Sequence, residues 1–457
     1  MGIKLDWQIE ADRAYDRAGE DPTARSQRRR QRLRLLFITA GLMLAFCAVA
    51  AIIALRLNTV DDQLRRDLIN AVQGEEATIR VGDFAQFMAF QRSAGDFWIT
   101  QQSQRFKTYQ DLKTKSGFSL TGNVLSTEID GSRGRAVVEE VIGGVRYESA
   151  WFYWRYPDGW RHVPSDWTFW GDPKTILGKN ATISYNELDA SLAQALADRV
   201  EKWWPMGCTM IMCGSAPSLT VQIIPYESDR LKWDPDKANT LLIPSPMAAQ
   251  DYARADGQIS QNLEDAVADE LADHLLTITT NNLILDQNSD AGWLRQITRE
   301  WMAAAFVGRP NPAQHSFIQS LNDHYGPQGV SAVIHALTPK ADISIVGVAL
   351  KQPIESLTLD WTAFFQRRLS VEKTLVSSPS RTDMASFQAL WDAANPAALD
   401  LMRQRMAQPS QDAPQVQSVA ISPGPDNVPR ATVKATANGQ PVVIVFRLVN
   451  GAWKHSA

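Results

Sequence analysis

The chain has 457 residues, with 46 Lys and Arg against 50 Asp and Glu, and only three cysteines. Its formal net charge of −4 is uneven: the first 34 residues hold nine basic and six acidic side chains, a local +3, which leaves −7 for the rest. An acidic bulk lacks the positive surface that nucleic-acid binding needs, so no nucleic-acid partner is expected.

From Leu35 to Leu55 the chain reads LLFITAGLMLAFCAVAAIIAL, 21 residues without a charge. At about 1.5 Å per residue, such a helix crosses a hydrocarbon core of about 30 Å and bonds every backbone group internally. Arg25, Arg28, Arg29, Arg30, Arg32 and Arg34 precede it, whereas Arg56, Asp61, Asp62, Arg65 and Arg66 follow. The arginine excess predicts a cytoplasmic tail over 1–34, a single-pass anchor over 35–55 in the cell membrane, and an extracytoplasmic remainder. The run is too long for the apolar core of a signal peptide, and the tail before it is long. Membrane lipid is therefore an expected partner, through the run and through the arginines, each worth about 1 kcal/mol beside anionic head groups.

The first region, 60–172, predicts helices followed by the strands LTGNVLSTEID, RAVVEEVI and YESAWFYWRY, ending in Gly159-Trp160-Arg161-His162. Alternating apolar and polar residues mark these as half-buried antiparallel strands. The pattern returns over 362–457 as QVQSVAIS, RATVKATA and PVVIVFRLV, ending in Ala452-Trp453-Lys454-His455. Asp83, Phe87 and Ala89 recur as Asp383, Phe387 and Ala389. Both regions resemble the nuclear-transport-factor-2-like (SnoaL-like) superfamily, which implies helices packed into a cone-like antiparallel sheet. Trp98, Trp151, Trp154 and Trp160 have two readings: an aromatic pocket for an apolar or sugar-like ligand, or core filling. His162 and His455 show no evident acidic partner in the sequence and read as surface or packing residues.

Between the repeats, 180–361 reads as strand Ala181–Tyr185, helix Leu188–Trp204, strand Leu219–Pro225, helix Leu263–Thr277 and a helix from about Trp293. Cys208 and Cys213 stand between a helix and a strand, placed either for a local disulfide or as two buried thiols. The order, with Val267-Ala268-Asp269-Glu270-Leu271-Ala272-Asp273-His274 and Trp293-Leu294-Arg295-Gln296-Ile297-Thr298-Arg299-Glu300-Trp301, resembles the gluzincin (peptidase MA-like) zinc peptidases. That family carries V-A-H-E-L-A-H-H on one helix and W-L-R-E-G-L-A-E-Y on a later one. The resemblance places Asp269 and Asp273 at the two histidine ligand positions, Gln296 at the third ligand, and Glu270 at the general base.

Two carboxylates and a neutral amide make a far weaker zinc site than imidazoles. Glu270 without a metal-bound water has nothing to activate. The acidic positions then read as a solvated helix face, with oxygen-ligated Ca²⁺, Mg²⁺ or Mn²⁺ as the alternative. The expected protein is α+β: one membrane helix and two cone-like domains flanking a mostly helical, degenerate gluzincin-like domain. Its expected role is as a non-catalytic, extracytoplasmic binding or scaffold protein without a cofactor, holding a peptide or protein partner. The alternatives are a tethered metallopeptidase with altered zinc ligands and a small-molecule sensor that uses the tryptophans of the first domain.

Overall fold

The computed structural model describes all residues except 1–6, 8, 9, 12, 15–21, 94, 226–230, 249–252, 311, 378–380, 408–411, 425 and 457. Eleven helices are named here in chain order: α1 (Pro22–Val81), α2 (Phe84–Phe90), α3 (Asp96–Lys115), α4 (Ala190–Ile211), α5 (Gln261–Thr279), α6 (Asp290–Phe306), α7 (Ser316–Ala336), α8 (Ile345–Leu350), α9 (Thr362–Ser377), α10 (Arg381–Ala389) and α11 (Pro396–Ala407). The strands are β1 (Ser119–Asp130), β2 (Arg133–Ile142), β3 (Val145–Tyr156), β4 (Gly159–Val163), β5 (Pro173–Leu177), β6 (Ala181–Asn186), β7 (Leu219–Ile224), β8 (Lys232–Trp233), β9 (Thr240–Pro244), β10 (Ala253–Arg254), β11 (Gln415–Pro423), β12 (Pro429–Ala437), β13 (Gln440–Val449) and β14 (Ala452–His455). The protein is thus a mixed α+β chain with one apolar N-terminal helix.

Two compact units divide the chain: 1–104 with 124–136 and 152–163, and 105–123 with 137–151 and 164–457. In the first unit α1 is a single unbroken helix of 60 residues, about 90 Å long. The stretch Ser26–Ile53 within it is, by length and composition, apolar enough to cross a membrane, which is compatible with an anchor. The helix does not stop where the apolar run ends. It continues to Val81, and Leu68, Val72, Glu75, Glu76 and Ile79 are buried. Their spacing of three to four residues places them on one helix face. Asp83 caps α2 by accepting from the Gln86 N–H at 3.0 Å.

The first sheet runs β1–β2–β3–β10, with β4 also paired to β3, and the last runs β11–β12–β13–β14. The β11–β14 pairs are antiparallel hairpin neighbours, as the alternating pattern predicts. A third sheet, β5–β6–β7–β9–β8, has a parallel centre, β6–β7–β9, edged by antiparallel β5 and β8. In the second unit one apolar core runs from Ala181 on β6 through α4–α7 to Phe446 and Trp453. It crosses the expected boundary at 361/362: Trp293 packs edge-on to Phe364 at 5.3 Å, and Trp361 edge-on to Trp453 at 6.4 Å between ring centres. Gly207 lets α4 approach α5 and α6, because a Cβ there would press on Leu275 and Phe306.

Candidate functional site

Helix α5 starts where Ser260 accepts from the Leu263 N–H at 3.3 Å, and α6 starts where Ser289 accepts from the Gly292 N–H at 2.9 Å. A Cβ at 292 would collide with the Asp286 carbonyl, so glycine lets the preceding turn close against α6. The apolar repeat Leu263, Val267, Leu271 and Leu275 buries one face of α5. That leaves Asp265, Asp269 and Asp273, four residues apart, on another face.

These aspartates are partly exposed, as on a solvated face, and each has a cationic partner. Asp273 pairs with Arg295 at 2.7 Å, Asp269 with Arg299 at 3.1 Å, and Asp265 with Arg309. Arg295 also donates to the Asp273 carbonyl at 3.2 Å and to the Thr277 hydroxyl at 2.7 Å. The like charges along α5 are offset by guanidinium groups from α6 and the turn after it. Gln296 does not join Asp269 and Asp273; its amide donates to Glu300 at 2.9 Å. Glu270 accepts from the Trp233 indole N–H at 3.0 Å. Trp233 stacks on His274 at 3.6 Å between ring centres, and His274 bonds Asn239 at 3.0 Å. Burial raises the pKa of Asp269 and of Glu270 above the usual carboxylate range, with Arg299 and Trp233, respectively, opposing the shift.

Zinc does not fit this donor set. Each aspartate already has a cation beside it, and the third position offers an amide engaged elsewhere. Among the described residues, no group of three or more His, Cys, Asp or Glu is gathered as a metal site.

A cavity of about 450 Å³ opens beside these pairs. Asp265, Asp269, Glu300, Arg309, Gln314 and His315 supply its polar lining, while Ala266, Ala268, Ala303, Ala304, Val307, Pro310 and Pro312 supply apolar walls. His315 is buried, and its Nε2 lies 3.0 Å from Glu300. That contact, helped by Gln296, holds Glu300 below the usual carboxylate range against the effect of burial. Sequence reading missed the Glu300–His315 pair, which depends on how the turn after α6 folds back. A second cavity, of about 480 Å³, lies along the turn 282–287 and is lined by Arg295, Gln296 and Arg299 among others. The Asp269–Arg299 and Gln296–Glu300 contacts link the lining of one cavity to that of the other.

The remaining expected site residues do not line this cavity. Trp98, Trp151 and Trp160 are buried, while Trp154 on β3 is 46 % exposed. Trp98 packs edge-on to His162 at 5.4 Å, and Trp160 lies against the space at Gly134. Trp98, Trp151 and Trp160 thus lie among buried residues, and Trp154 does not. Cys208 and Cys213 are joined as a disulfide at the end of α4, with Cα atoms 5.0 Å apart.

The two histidines read as surface or packing residues are buried, and both lie beside glutamates. His162 Nδ1 lies 2.7 Å from Glu75, which also accepts from Gln91 at 2.8 Å and from Tyr153 at 2.7 Å. His455 Nε2 lies 2.7 Å from Glu372. Burial lowers the His455 basicity, opposed by Glu372. The same helix-glutamate to last-strand-histidine pair thus occurs in both repeats. No family model, no curated protein and no solved structure matches the chain.

Proposed function

We propose that this chain is a membrane-anchored, non-catalytic binding protein, with a gluzincin-like frame whose metal site has been replaced by ion pairs and whose α5–α6 cavity receives a peptide segment of a partner. The observation that carries the reading is the pairing of Asp269 with Arg299 and Asp273 with Arg295. At the positions that zinc ligands occupy in the resembled family, cationic side chains neutralise the carboxylates, and Glu270 is held by an indole. A cavity of this size with a few polar groups among apolar walls suits ligand binding without chemistry. The apolar helix and the arginines before it support a cytoplasmic N-terminus, and the Cys208–Cys213 disulfide supports an oxidising compartment for the rest.

Metal content tests the reading. The full chain, purified in detergent and dialysed against zinc, should carry far less than one equivalent of zinc by mass spectrometry. It should also leave a peptide library intact. Stoichiometric zinc, or cleavage that disappears in Glu270→Ala, would overturn the proposal.

A further inference from the structure

The second cavity, of about 480 Å³, differs from the first in its charge. Its charged lining consists of Arg295 and Arg299, and no described carboxylate lines it. The two guanidinium groups are used unequally. Arg295 is held in place by donating to the Asp273 carboxylate at 2.7 Å, to the Asp273 carbonyl at 3.2 Å and to the Thr277 hydroxyl at 2.7 Å. Arg299 meets Asp269 through Nε at 3.1 Å, an ion pair without an aligned hydrogen bond, and its Nη2 comes only within 4.0 Å of Glu300. Its Nη groups therefore donate to no described residue, and the side chain is 31 % exposed. A guanidinium carries five N–H donors in a planar fork, the geometry that a carboxylate accepts from best.

The turn after α5 supplies the apolar lining. Asn281 and Asn282 stand in the left-handed region, with φ of 52° and 59°, which asparagine tolerates better than most residues. The Asn282 N–H closes the turn on the Thr277 carbonyl at 2.8 Å. The chain then places Leu283, Ile284 and Leu285 along the cavity. Leu283 and Leu285 pack on the core, but Ile284 is 89 % exposed, the most exposed large apolar side chain among the described residues. Guanidinium donors without acceptors and an apolar side chain without cover thus line one cavity. A ligand that matches carries a carboxylate on an apolar body.

We propose that the cavity between α6 and the 282–287 turn binds a monocarboxylate with a branched apolar body, its carboxylate accepting from Arg299 and its apolar part covering Leu283 and Ile284. A single negative charge fits, because Asp269 and Asp273 already offset much of the arginine charge from outside the lining. The C-terminus of a peptide that ends in an apolar residue has this chemistry, and so does a free branched aliphatic acid. The site is distinct from the cavity lined by Asp265 and His315, so its failure leaves the binding proposed there untouched.

The full chain in detergent is titrated calorimetrically with two matched pairs of probes. One pair is an N-acetylated hexapeptide library ending in leucine, as the free carboxylate and as the C-terminal amide. The other is 4-methylpentanoate and 4-methylpentanamide. In at least one pair the acid should bind about tenfold or more tightly than its amide, as the loss of a charge-assisted hydrogen bond implies. The difference should shrink as salt rises. Arg299→Gln should erase most of the preference. Because that change also removes the ion pair with Asp269, Ile284→Asp serves as the second variant: it alters an exposed side chain, leaves the pairs intact, and should weaken the acid by about tenfold through charge repulsion and lost apolar contact. Circular dichroism checks that each variant folds.

Tighter binding of the peptide acid supports the site and assigns it to a chain terminus. Binding of 4-methylpentanoate without binding of the peptide acid supports the site and assigns it to a free acid. Equal affinity of acids and amides, or no binding of either acid, overturns the inference. Unchanged acid affinity in Ile284→Asp overturns this cavity as the place where the acid binds.

Discussion

Replacing Glu75 by alanine should destabilise the first unit by about 3–5 kcal/mol, the largest effect expected of a single substitution outside the apolar core. Glu75 is buried on α1 and accepts from Gln91, Tyr153 and His162 at 2.7–2.8 Å. Alanine takes away the acceptor that three buried donors share, at about 1–3 kcal/mol each in a sum that is not additive. Thermal unfolding of the full chain in detergent should show one transition lowered by roughly 6–20 °C. Glu75→Gln keeps one acceptor oxygen but turns an amide toward the other donors, so its effect should be smaller. Glu372→Ala gives an internal comparison, because among the described residues the side-chain bond of Glu372 is the one to His455. A shift for Glu75→Ala no larger than that for Glu372→Ala would show that the three-donor network does not hold the helix. The residue also matters for position: it lies on the same unbroken helix as the apolar run, so the network fixes that helix against β4.

The two sheets of hairpin-linked strands were legible because alternation reports a half-buried strand directly. Strands β5 and β9 were not. Thr240–Pro244 is buried at every position and lies in the parallel pair with β7, so it shows no alternation to read. The long α1 was legible in halves, an apolar run and a helical stretch after it; what was not legible is that no break separates them.

The glutamate–histidine pairs illustrate a second limit. Each histidine sits in a readable strand and each glutamate in a readable helix, but the partners are 87 and 83 residues apart, and only packing shows that they meet. The α5–α6 ion pairs could have been found. Asp269 and Asp273 are four apart, and so are Arg295 and Arg299, on two helices joined by a short connection. Antiparallel neighbours would match them crosswise, 269 with 299 and 273 with 295, as observed. Glu300 and His315 had no such signal, since their approach depends on the irregular path between α6 and α7.

The stability that Asp189 contributes to the second unit should fall as pH rises from about 4 to about 7. Its carboxyl is buried at the junction between β6 and α4, where it accepts from the Trp170 indole at 2.9 Å and from the Ser245 hydroxyl. Burial pushes its pKa up to about 6, while those two donors pull the other way. An unfolded aspartate titrates near 3.9, so between the two values the folded chain binds the proton that the unfolded chain has lost. Stability contributed by the neutral acid is therefore complete below about pH 4, declines through the folded pKa, and is gone above it. A difference of about two pH units corresponds to roughly 3 kcal/mol. Asp189→Asn isolates this contribution from other acids, such as the buried Glu140, whose titration is also shifted upward by burial. The amide can accept from Trp170 through its oxygen and donate to the Ser245 oxygen, so it mimics the neutral acid. The wild-type stability relative to Asp189→Asn should drop by about 2–3 kcal/mol between pH 4 and pH 8. Denaturant midpoints of both proteins, taken at half-unit steps, measure it. Parallel pH profiles would mean that Asp189 is ionised in the folded chain at neutral pH without penalty, and that Trp170 and Ser245 compensate its burial in full.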